Sequence, residues 1–123
     1  MGGTNFEVRA MGRNADEAYD NAVNDAIYWH GHSPYSGTIK EKDGYVLFPV
    51  LAEITKDAEY EMLQAMWQYR QEDNKETILK YFGDLAQKAA DVYEDKWGPA
   101  VCIKTGITEG EQTEYLFFGI ASC

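Results

Sequence analysis

The feature that most constrains this chain is a strand followed at once by a helix whose inner face is alanine. Residues 5–11 alternate, with Phe6, Val8 and Ala10 apolar on one side and Glu7 and Arg9 on the other. That period of two marks a half-buried strand. Gly12 ends it. Asn14 then stands where a helix cap is needed, with Glu17 three residues later in the capping-box position. Ala15, Ala18, Tyr19, Ala22, Val23, Ala26 and Ile27 recur at helical spacing as far as Gly31, which suits a C-terminal cap. Side chains this small let a helix backbone come close to a sheet, so residues 15–29 are predicted to pack tightly on one.

The remaining pattern supplies more elements. Residues 37–50 read as two short strands around Asp43-Gly44, a hairpin dipeptide, with Pro49 marking an edge or an exit. Thr55 starts a helix with Ala58, Met62, Ala65, Met66 and Tyr69 on one face and Tyr60, Leu63 and Trp67 on a second. A polar break at residues 71–74 precedes a further helix carrying Ile78, Phe82, Leu85, Ala89 and Val92. Residues 100–103 form a short apolar strand, 105–112 are turn-like, and 115–121 form the last strand. The order β-α-β-β-α-α-β-β predicts one α+β domain over residues 1–123. Its antiparallel sheet includes residues 5–11, 45–48, 100–104 and 115–121, with helices covering one face. The first six elements are compatible with a ferredoxin-like core.

Charge and cysteine usage narrow the functional classes. The net charge is −10 and no basic stripe occurs, which argues against direct nucleic-acid binding and against attraction to anionic membranes. No apolar stretch is long enough to span a bilayer, and no N-terminal run resembles a signal peptide. Two cysteines do not make a disulfide framework, so a reducing, cytoplasmic setting is expected.

No reaction centre stands out. His30 and His32 lack the third and fourth ligands that zinc needs, so neither metal nor cofactor is expected. The serines lack a nucleophile elbow and no phosphate loop is present. A non-enzymatic role is therefore expected, with a small carboxylate-dependent enzyme as an alternative.

Binding is expected instead at two junctions, residues 31–42 and 96–100, which concentrate Gly, Pro and aromatic rings. Trp97 reads either as a plug in the end of the core or as a contact platform, and Tyr35 carries the same two readings. With His32 beside Tyr35, and with Arg9, Arg13 or Lys104 supplying local positive charge, such rings would suit a small nucleotide-like ligand. The acidic helices would instead suit a basic partner protein. The two-faced apolar pattern of residues 58–69 predicts a homo-oligomer, a dimer in particular.

Several stretches carry a resemblance. Gly2-Gly3 and Phe6 open the chain. Gly31-His32, Tyr35, Gly37-Thr38-Ile39 and Glu41-Lys42 follow the first helix. Lys96-Trp97-Gly98-Pro99-Ala100, Cys102-Ile103 and Tyr115-Leu116-Phe117-Phe118-Gly119 lie near the other end. Together they resemble a group of small uncharacterised proteins of phages and prophages. The resemblance spans both ends and leaves residues 51–95 uncovered. It implies an accessory protein of the infected host's cytoplasm that binds and neutralises a component of host defence. The two routes it implies are sequestering a nucleotide signal and blocking a basic, nucleic-acid-binding effector.

Overall fold

The computed structural model describes residues 3–31, 37–51, 54–69 and 71–122. It is an α+β arrangement in three layers. Strand β1 (Gly3–Gly12) leads into helix α1 (Ala15–His30). A 3-10 turn (Ile39–Glu41) and the short strand β2 (Tyr45–Leu47) follow. Three helices come next: α2 (Lys56–Trp67), α3 (Glu72–Phe82) and α4 (Ala86–Glu94), the last two joined by a 3-10 turn. Strands β3 (Ala100–Glu109) and β4 (Gln112–Ser122) close the chain. The sheet order is β1-β4-β3-β2.

The strand–helix start forms as its residues dictate. The Asn14 side chain accepts the Glu17 N–H at 2.9 Å, and the Gly31 N–H closes the helix on the Ile27 carbonyl at 2.7 Å. Gly12 is required by crowding: a Cβ there would lie 2.5 Å from the Ala18 backbone nitrogen. The alanine face does what its size permits. Ala15, Ala18, Ala22 and Ala26 are buried against Cys102, Tyr115 and Phe117, with Phe6 and Val8 alongside.

The other face of the sheet carries the larger core. Met62, Met66, Ile78, Phe82 and Tyr93 from α2–α4 pack on Val101, Ile103, Leu116 and Phe118. Helices therefore cover both faces rather than one. The two central strands show why: Ala100–Ile103 and Tyr115–Phe118 are buried without alternation, as strands covered on both sides must be.

Three further details differ from the sequence expectation. The sheet is mixed, because β2 runs parallel to β3, with Tyr45 opposite Ala100 and Leu47 opposite Cys102. A parallel neighbour requires a long crossover, and α2–α4 provide it. The hairpin around Asp43-Gly44 does not form. The segment before it coils into the 3-10 turn, buries Ile39 and sends the Lys42 carbonyl to the Tyr19 hydroxyl at 3.0 Å. With that strand gone, β1 and β2 are the two edges, and the order differs from a ferredoxin-like core. Residues 105–112 are not a loop either: β3 and β4 continue as a ribbon to a turn at Gly110-Glu111, with a register shift between Lys104 and Thr108. No helix among the described residues is long and apolar enough to cross a membrane.

Candidate functional site

Because β1 lies at an edge, its two faces meet different neighbours. Phe6, Val8 and Ala10 face α1. Glu7 and Arg9 are on the α2 side, where Glu7 stays exposed and Arg9 is partly buried. The Arg9 guanidinium clamps Glu59 of α2, through Nε at 3.1 Å and Nη2 at 2.7 Å. Its Nη1 donates to Glu114 of β4, whose Oε1 also accepts the Thr105 hydroxyl at 2.9 Å. Burial alone would lower the Arg9 pKa, but the bonds to Glu59 and Glu114 outweigh it and hold the charge more firmly. Glu7 stands beside this clamp and feels both Glu59 and Arg9. Burial, and then the like charge of Glu59, raise its carboxyl pKa above the usual value. Two carboxylates on one arginine, with a third beside them, leave the locality negative.

This acidic floor opens into a groove of about 640 Å³ between β1 and α2. Its walls include Lys56, Tyr60, Leu63 and Trp67. Tyr60 is 69% exposed and Trp67 51% exposed, so both rings stand at the rim. Below the strand, the Tyr93 hydroxyl is buried without a well-formed hydrogen bond. Asn5 is near enough to bias it, but not in bonding geometry. Burial first, and the Glu7 charge second, push the Tyr93 pKa up to about 12. A smaller groove of about 200 Å³ lies on the opposite side of β1, against Ala22, Ala26 and the exposed Trp29.

The residues singled out from sequence do not converge. Trp97 is 55% exposed in the turn after α4, which removes the core-plug reading. Its N–H donates to Asp95 Oδ1 at 3.0 Å, and the Lys96 ammonium lies 5.1 Å from its ring centre. His32 and Tyr35 lie outside the described residues. Arg13 pairs with Glu17 at 3.0 Å at the surface. Lys104 lies beside Leu47–Val50 on the α1 side of the sheet, opposite to Arg9. The two-faced helix 58–69 is the sequence feature that enters the groove. Glu7, Glu59 and Glu114 were missed, because a carboxylate that faces a helix and one that faces water alternate identically.

Residues of the 37–44 segment meet the end of α4 and the sheet at another corner. Lys42 is buried, its stem passing beside Gly119, and its ammonium donates to the Asp95 carbonyl at 2.8 Å. Burial lowers its pKa. The Gly37 N–H donates to the Ser122 carbonyl, and the Ala100 N–H to the Gly44 carbonyl. These contacts tie the segment before β2 to the end of α4 and to the sheet.

No family model, curated protein or solved structure matches this chain.

Cys102 is wholly buried and its thiol is pushed up to about 12, so it is a protonated core residue and not a nucleophile. Among the described residues no group of three or more His, Cys, Asp or Glu is placed to hold a metal ion. The β1–α2 groove combines negative charge, from the exposed Glu7 and the partly buried Glu59, with two exposed rings.

Proposed function

We propose that the chain is a non-enzymatic binding protein that engages a basic segment of a partner protein in the β1–α2 groove. The observation that carries this reading is the exposed Glu7, beside a Glu59–Arg9–Glu114 cluster in which carboxylates outnumber the cation, in one groove with the exposed rings of Tyr60 and Trp67. Carboxylates attract a Lys or Arg side chain, and an aromatic face adds cation–π attraction as the cation loses water. A net charge of −10 steers a basic partner from a distance. In the phage setting that the sequence resemblance implies, such a partner would be a basic host effector, which the acidic protein occludes.

Nucleotide capture is the second reading, and the half-exposed Trp97 with Lys96 beside its ring supports it. It ranks lower because Arg9 and Arg13 are each engaged by carboxylates and Lys104 lies on another face.

Titration calorimetry with a Lys/Arg-rich peptide, run beside thermal-shift assays with cyclic dinucleotides, separates the two. The groove reading expects peptide binding that weakens as salt rises, because the attraction is screened. Saturating nucleotide is expected to leave the melting temperature unchanged. A nucleotide that stabilises the fold by about 2.7 kcal/mol at one hundred times its Kd, with no peptide binding, would overturn it.

A further inference from the structure

We propose that two copies of this chain join through the outer edges of their β1 strands, in an antiparallel pairing centred on Val8. β1 is ten residues long and ends the sheet order, so its outer edge pairs with no strand among the described residues. An unpaired edge presents N–H and C=O groups to any strand that fits. The other edge, β2, has only three residues. The two grooves flanking β1 both reach Phe6 and Glu7, so open space lies on each side of the strand there.

The occupant follows from the sequence of β1 itself. A two-fold axis perpendicular to the sheet keeps each face continuous, so opposed residues share a face. Centring on Val8 sets Glu7 against the second copy's Arg9, and Arg9 against the second copy's Glu7. On the other face it sets Phe6 against Ala10 and Val8 against Val8. Over the central residues 6–10 every opposed pair then matches in character, apolar with apolar and acid with base, while Asn5 opposes Met11 towards the strand ends. Moving the axis one residue, to Glu7 or to Arg9, puts two like charges face to face. The Val8-centred register is thus the one of these three in which the strand is complementary to itself.

The local electrostatics agree. Glu7 is crowded by Glu59 and carries a raised pKa, so a cation opposite it relieves an existing repulsion. Arg9 uses three of its five N–H groups in the bonds to Glu59 and Glu114, which leaves donors that can turn to a third carboxylate. The same axis sets the two β1–α2 grooves side by side on one face of an eight-stranded sheet. This inference goes beyond partner binding, and no partner enters its test, so the two fail separately.

The test combines sedimentation with cross-linking. Sedimentation equilibrium of the parent chain is expected to show a concentration-dependent dimer. Glu7→Lys, at an exposed position, sets Lys against Arg and is expected to raise the dimer Kd at least tenfold. In a Cys123→Ser background, Val8→Cys is expected to form a covalent dimer on mild oxidation. Phe6→Cys, which opposes Ala10, is expected to cross-link at least tenfold more slowly. A parent chain that stays monomeric at every concentration overturns the proposal. So does a dimer that Glu7→Lys leaves intact, or cross-linking that does not favour position 8. If Val8→Cys fails to fold, the sedimentation results decide alone.

Discussion

Arg9 shows how one side chain ties three elements together. It links β1 to Glu59 of α2 and Glu114 of β4, and its side chain is only 23% exposed. Arg9→Met would strand two partly buried carboxylates. Breaking a fully buried pair costs about 3–5 kcal/mol, and partial exposure reduces that here to about 2 kcal/mol. Urea denaturation is the check. The double variant Arg9→Met/Glu59→Gln should recover part of the loss, and a cost below about 0.5 kcal/mol would mean that solvent already satisfies the acids. Cys102 and Tyr93 supply a pH signature. Their folded-state pKa values, both about 12, lie above the ordinary 9.0 and 10.0. In the unfolded chain these groups lose protons first, so the folded state holds more protons in the window between. Stability is therefore full below pH 9 and falls as pH rises towards 12, by up to about 1.4 kcal/mol per pH unit for each group. Cys102→Ala should flatten the first part of that fall in thermal melts between pH 8 and 11. An unchanged slope would contradict the assignment.

Among the elements, β1 and α1 were the most legible in sequence. Alternation, a cap at Asn14 and a face of alanines all point the same way. The closeness of the β1–α1 contact can be tested at Gly12. A methyl group added there meets backbone, not a movable side chain. Gly12→Ala is expected to cost about 1–3 kcal/mol, the range for overpacking, read from chemical denaturation. A neutral result would mean that α1 can move away from the strand. The 37–42 segment was not legible, because Asp43-Gly44 carries local hairpin chemistry whereas its conformation is set by distant contacts: Tyr19 to Lys42, Lys42 to Asp95, and Ala100 to Gly44. The direction of β2 was hidden for a related reason. Three residues carry too little pattern to distinguish a parallel from an antiparallel neighbour, and the crossover through α2–α4 decides it. The two-sided burial of β3 and β4 was written in their unbroken apolar runs, which the expectation of a one-sided sheet passed over.

At the scale of the whole molecule, acidity is not evenly expressed. Around Arg9 it gathers into one groove with two exposed rings, Tyr60 and Trp67. Sequence supplied the ingredients, since the second apolar face of residues 58–69 was visible. It did not supply the meeting of that face with Glu7, which depends on a contact about fifty residues away. Trp97 was legible as a ring at a rigid corner, and its exposure agrees with a contact role, yet the cations assigned to the same ligand lie elsewhere. The two surfaces are therefore rivals, and a pair of exposed tryptophans tells them apart. The most direct measurement is titration calorimetry of a Lys/Arg-rich peptide against the parent chain, Trp67→Ala and Trp97→Ala, each confirmed as folded by its melting temperature. The groove account predicts that Trp67→Ala weakens binding at least tenfold, about 1.4 kcal/mol, while Trp97→Ala binds like the parent. Binding lost in Trp97→Ala and kept in Trp67→Ala would contradict it and move the site to the corner after α4.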